Sequence, residues 1–130
     1  MTASPHSIQL TQRAAVAASD IAGFDFVALD VSEPLPLVDV FLIVSGRSER
    51  NVQAIADSIE RALNESGTKT LRREGRTEGR WILLDFGDLI CHVFVEEERM
   101  YYSLERLWKD CPVVPLELPS ADFSPSAPLV

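Results

Sequence analysis

The residues of this chain best suited to chemistry gather in the run Leu89-Ile90-Cys91-His92-Val93-Phe94-Val95. His92 is the side chain most easily adapted to general-base or metal-ligand work near neutral pH. A metal would need further ligands, and Cys91 must point to the opposite face of any strand that carries His92. Cys111 stands before Pro112 at a helix exit, and a Cys111–His92 nucleophilic pair stays open on sequence alone. A lone strand histidine between Ile90 and Phe94 nevertheless reads first as a packed, hydrogen-bonded residue and only second as a base. No catalytic residue and no metal site is expected.

The second place to look is the Ser45-Gly46-Arg47-Ser48 turn, where a strand gives way to a helix and an anion could sit at the helix N-terminus. Nucleotidyl transfer built on such a turn needs a nearby Asp-x-Asp pair to hold magnesium. No such pair follows. Glu96 and Glu98 have the spacing but belong to a run of three glutamates at a strand-to-helix junction, and Asp85 and Asp88 flank a turn, where aspartate serves local hydrogen bonding.

The elements that position these residues centre on Trp81 to Val95, two apolar runs around Phe86-Gly87, which reads as a tight β-hairpin. With Phe86-Gly87 as a two-residue loop, Asp85 faces Asp88 and Trp81 falls opposite His92. One face then carries Trp81, Leu83, Ile90, His92 and Phe94, a mixture of aromatics and histidine suited to docking. The other carries Ile82, Leu84, Leu89, Cys91, Val93 and Val95, an aliphatic set suited to covering helices. Physics alone leaves Trp81 balanced between core and interface, since an amphipathic ring beside Arg80 and a polar loop fits either.

In chain order, Ser7 caps an alanine-rich helix over Ile8 to Ile21, ended by Gly23. Strands follow at Phe24 to Val31 and Val38 to Ser45, separated by a proline-containing loop. Ser48 caps a strongly periodic helix over Glu49 to Glu65. A strand at Lys69 to Glu74 completes a crossover expected to give one parallel pair. After the hairpin, Leu104, Leu107 and Trp108 share one face of a short helix, with Tyr101 a turn earlier. The domain is expected over residues 8–110, with 111–130 a proline-rich flexible tail.

The 130 residues suit one domain, 46% hydrophobic and 25% charged, with a net charge of −8. That charge argues against gripping nucleic-acid phosphates and leaves a basic protein partner open. Neither cysteine lies in a CxxC arrangement, no leader is evident and no stretch reaches membrane-span length, so a cytoplasmic protein without cofactor is expected.

The order and spacing of several fragments resemble the Iojap-type ribosomal silencing factor family across about residues 8 to 110. They are Ser19-Asp20-Ile21, Leu29-Asp30-Val31, Asp39 through Ser48, Glu74-Gly75, Gly79 through Asp88, His92-Val93-Phe94 and Arg99 through Trp108. The family commonly has an aromatic where Val40 stands, a departure expected to affect packing. The resemblance implies an α+β domain with a mixed, mostly antiparallel five-stranded sheet and helices packed on it, like nucleotidyltransferase domains without their catalytic carboxylates. It implies a binding module and not an enzyme. The partner would be the large ribosomal subunit, engaged through ribosomal protein L-fourteen on the face that docks the small subunit, so that joining is blocked and translation falls when nutrients are scarce. It also implies a homodimer, with no membrane and no sequence-specific nucleic acid as partner. Joined to the face geometry, it places the partner-binding patch at Trp81, Leu83, His92 and Phe94, rimmed by Glu74, Asp85, Arg99 and Tyr101. The alternative is a nucleotide-binding enzyme acting at Ser45 to Ser48.

Overall fold

A computed structural model describes residues 2–118, apart from the side chains of Tyr101, Tyr102 and Glu105. The chain runs α1 (Pro5–Asp20), β1 (Phe24–Asp30), β2 (Val40–Gly46), α2 (Glu49–Glu65), β3 (Arg72–Glu74), β4 (Trp81–Asp85), β5 (Leu89–Val95), α3 (Glu96–Tyr102) and α4 (Leu104–Leu107). The five strands form one sheet in the order β1-β2-β5-β4-β3. β2 and β5 pair in parallel, and the other neighbours are antiparallel. This is the expected α+β single domain with a mixed, mostly antiparallel sheet.

The position of the parallel pair differs from expectation. β3 runs parallel to β2 but lies at the far edge, with two strands between them, and β5 takes the place beside β2. Composition explains the order. Every residue of β3 is exposed, which suits an edge, whereas β2 and β5 are apolar on both sides and need a neighbour and a cover everywhere.

One face of the sheet carries Val40, Leu42, Val44, Ile82, Leu84, Leu89, Cys91, Val93 and Val95, packed beneath α1 and α2. α2 has the expected bounds and contributes Val52, Ile55, Ala56, Ile59 and Leu63, all buried. The Ser48 hydroxyl accepts a hydrogen bond from Asn51 N at 3.1 Å, as an N-cap should. Val40 is fully buried here, between Asp30 and Leu89, where it serves packing.

α1 starts earlier than expected, with Ser4 as cap and Pro5 in the first turn. Its start is held from a distance. Asp30 Oδ2 accepts from Ala3 N at 2.8 Å, and Asp39 Oδ2 accepts from the Ser7 hydroxyl at 2.8 Å. Helix-cap rules read only neighbours, so Ser7 looked like the cap although its hydroxyl is committed to Asp39.

The described part of the expected flexible tail, residues 111–118, is docked. Val113 bridges to Leu29 antiparallel, with Asp30 N donating to Pro112 O and Val114 N to Ala28 O, both at 2.8 Å. Val114 is buried, and Leu116 and Leu118 pack against the core. The Gln12 amide pairs with the backbone of Glu117, accepting from its N–H at 2.9 Å and donating to its carbonyl. The segment therefore covers the open edge of β1. Residues 119–130 of the expected tail lie outside the described residues.

Candidate functional site

The other face of the sheet holds a second, aromatic core of Leu29, Val31, Phe41, Ile43 and Phe94, with Trp81, Ile90, Leu104 and Trp108 packed against it. Its cover is the β1–β2 connection, through Leu35 and Val38, and the chain from α4 to Cys111. Phe41 meets Trp108 edge-to-face at 5.4 Å between centroids. α3 and α4 are separated by Ser103, whose left-handed backbone (φ 52°) breaks what would otherwise be one helix. The break turns Leu104 and Trp108 inward and leaves Leu107 exposed, so the three do not share the one face that their spacing predicts.

The hairpin register also differs. Trp81 pairs with Phe94, Leu83 with His92 and Asp85 with Ile90. The turn lies one residue later than expected, at Gly87-Asp88, because Phe86 is buried and its N–H donates to Leu89 O at 2.9 Å. Gly87 takes φ +94° there, and its N–H donates to Asp85 Oδ1 at 2.8 Å. The pairing is displaced by two residues. Because side chains alternate with period two, both faces keep their expected membership.

What changes is depth. Phe94 is 1% exposed and His92 5%, so neither presents itself to a partner as expected; Phe94 shares its core with Leu104 of α4 and Leu35 and Val38 of the β1–β2 connection, and His92 lies against Phe41 and Phe94. Arg99 is not a rim residue either. It is buried, donating to Ser45 Oγ at 2.9 Å and to the carbonyl of Asp25, where β1 bulges. Tyr101 lies in the last turn of α3, and its side chain falls outside the described residues.

Trp81, Leu83 and Ile90 are half-buried and share the side of the sheet away from α1 and α2. Glu74 pairs with Leu83 and is exposed, Asp85 pairs with Ile90, and Arg72 pairs with Asp85. Arg72 reaches Glu74 at 3.5 Å and Asp85 at 4.0 Å. The result is an apolar strip with a charged margin at the β3–β4 end of the sheet, which the described residues leave half-exposed. Arg72 was missed because three exposed residues carry too little alternation to assign a face; only the pairing of β3 with β4 places it.

Trp81 is held on three sides. Its ring stacks on Phe94 at 4.9 Å, its indole N–H donates to His92 Nδ1 at 3.1 Å, and the preceding residue, Arg80, is clamped by Glu98 and Glu49, each at 2.9 Å. The loop before it closes through Gly75 at φ +82°, where a Cβ would lie 2.0 Å from the Trp81 carbonyl oxygen.

The sites considered for catalysis are otherwise engaged. Burial pushes the His92 imidazole down to about 4 and the fully buried Cys91 thiol well up. Burial also raises Cys111, helped by Asp30 and Asp110. Thus the thiolate needed for a Cys111 nucleophile is disfavoured. At the Ser45–Ser48 turn, Asn51 Oδ1 already accepts from Arg47 N at 2.9 Å, and its Nδ2 donates to Ile21 O at 2.9 Å. A Cβ at Gly46 would meet that Oδ1 at 3.0 Å, so side chains fill the space an anion would use. Among the described residues no three His, Cys, Asp or Glu side chains gather as a metal site, and no helix is long and apolar enough to cross a membrane.

Comparison with known proteins places this arrangement. Residues 4–128 match the family model described as "Ribosomal silencing factor during starvation". A ribosomal silencing factor of Halalkalibacterium halodurans is 43% identical over 109 residues, spanning 84% of this chain and 93% of that protein. A crystal structure of a Chromobacterium violaceum protein superposes with TM-score 0.76 at 36% identity, covering 78% of this chain and 84% of that one. One from Bacillus halodurans gives TM-score 0.74 at 42% identity, covering 83% and 98%.

Proposed function

This chain belongs to the ribosomal silencing factor family, and from that premise we propose that it binds the large ribosomal subunit through ribosomal protein L-fourteen and blocks joining of the small subunit. Translation is thereby repressed when nutrients are limiting. The observation that carries this reading is the half-buried Trp81, fixed in place beside Leu83 and Ile90 at the β3–β4 end of the sheet. A rigid aromatic beside aliphatic neighbours and a polar margin is the composition of an interface hot spot. The net charge of −8 complements a basic ribosomal partner, which favours encounter and orientation.

Under this proposal the chain acts in the cytoplasm, as a binding module without catalytic residues or cofactor, and assembles as a homodimer. Trp81, Leu83, Asp85 and Glu74 make direct contacts, whereas His92, Phe94 and Arg99 support the surface from beneath. Co-sedimentation with purified large subunits, with and without small subunits, tests it. Trp81→Ala should fold and lose about 2 kcal/mol or more of binding. Wild-type affinity in a folded Trp81→Ala protein would remove Trp81 as the anchor, and wild-type protein that leaves subunit joining untouched would remove the blocking role.

A further inference from the structure

We propose that His92 is the positioning residue for Trp81, holding the indole in its binding orientation through Nδ1 without itself touching the partner. The inference rests on the reading of Trp81 as an anchor.

The indole N–H can only donate, so His92 Nδ1, at 3.1 Å, must carry a lone pair. The ring is therefore neutral with its proton on Nε2. That Nε2–H is buried and finds no hydrogen-bond partner among the described residues. Phe41 stands edge-to-face at 5.0 Å, Phe94 lies roughly parallel at 6.3 Å, and the position is 5% exposed. A leucine of similar size would satisfy such surroundings without burying an unpaired donor, which is ordinarily unfavourable. The gain that offsets the orphan donor is the acceptor offered to Trp81. His92 and Phe94 together define the ring: Phe94 supplies the plane on which it stacks, and His92 selects its rotation within that plane. With the half-exposed ring oriented in advance by this bond, less of its binding geometry has to be ordered on docking.

A double-mutant cycle on binding to purified large subunits tests this. Trp81→Phe keeps a stacking ring and removes the donor, and His92→Leu removes the acceptor. His92→Leu alone should weaken binding about tenfold while leaving the folded protein no less stable at neutral pH. In the Trp81→Phe background the same change should cost nothing further. His92→Asn, whose Oδ1 takes the Nδ1 position, should restore both binding and the downfield, exchange-protected indole N–H resonance of Trp81 in the nuclear magnetic resonance spectrum. An equal loss from His92→Leu in both backgrounds overturns the proposal, as does wild-type binding by His92→Leu when Trp81→Ala binds weakly. If Trp81→Ala itself binds like wild type, the anchor reading fails and takes a binding role for His92 with it.

Discussion

Acidification should expose the burial of His92 directly. Burial pushes its folded value from 6.5 down to about 4, so between those limits the unfolded chain holds a proton the folded chain refuses. Stability then falls as pH falls, by about 1.4 kcal/mol per pH unit inside the window. The penalty is absent at pH 7.5, reaches about 2 kcal/mol at pH 5 and about 3 kcal/mol at pH 4. Protonation would also turn Nδ1 into a donor facing the donor-only indole, so the Trp81 bond breaks in the same step. Two carboxylates act in the same direction but lower on the scale. Asp30 is pushed up by burial yet held low by the Ser32 hydroxyl and the Ala3 and Ser32 N–H groups, and Glu60 is held low by Arg73. Each of these stabilises above its unfolded value and is lost as pH falls through its lowered folded one. Urea unfolding followed by circular dichroism at pH 7.5, 6 and 5 separates the contributions when wild type is compared with His92→Leu. The wild type should lose about 2 kcal/mol more than the variant by pH 5. Parallel stability curves, differing by less than about 0.5 kcal/mol in their pH dependence, would refute a buried neutral imidazole.

Four further outcomes follow from the geometry. Gly75→Ala should lower stability by more than about 1 kcal/mol in urea unfolding, since the new Cβ meets the Trp81 carbonyl and φ is +82°. Gly67→Ala, at φ +98° with open space around it, should cost less than Gly75→Ala. Val114→Asp should destabilise by about 3 kcal/mol and raise amide exchange at Asp30 and at residue 114, because it places a charge in the core and lifts the docked segment from β1. Asn51→Ala should cost about 1–2 kcal/mol by calorimetry, from loss of the bonds that tie the α2 N-terminus to Arg47 and Ile21.

The chain alone determined what local chemistry can determine. The period of Val52, Ile55, Ala56, Ile59 and Leu63, with Ser48 before it, was enough for α2 to the residue, because cap and stripe are short-range signals. Alternation along Trp81–Asp85 and Leu89–Val95 was enough for which side chains share a face, and it survived a misplaced turn because a two-residue displacement preserves parity. Tertiary structure decided the rest. The neighbour of β2 was settled by the need to cover β5 on both sides. The start of α1 was settled by Asp30 and Asp39, and the seat of residues 111–118 by the open edge of β1. For the candidate surface the distinction is sharpest. Face membership is a property of one strand and can be read from its sequence. Burial on that face depends on what arrives from elsewhere: Leu35, Val38 and Leu104 join the core around Phe94, His92 is buried against Phe41 and Phe94, and Trp81 and Leu83 stay half-buried.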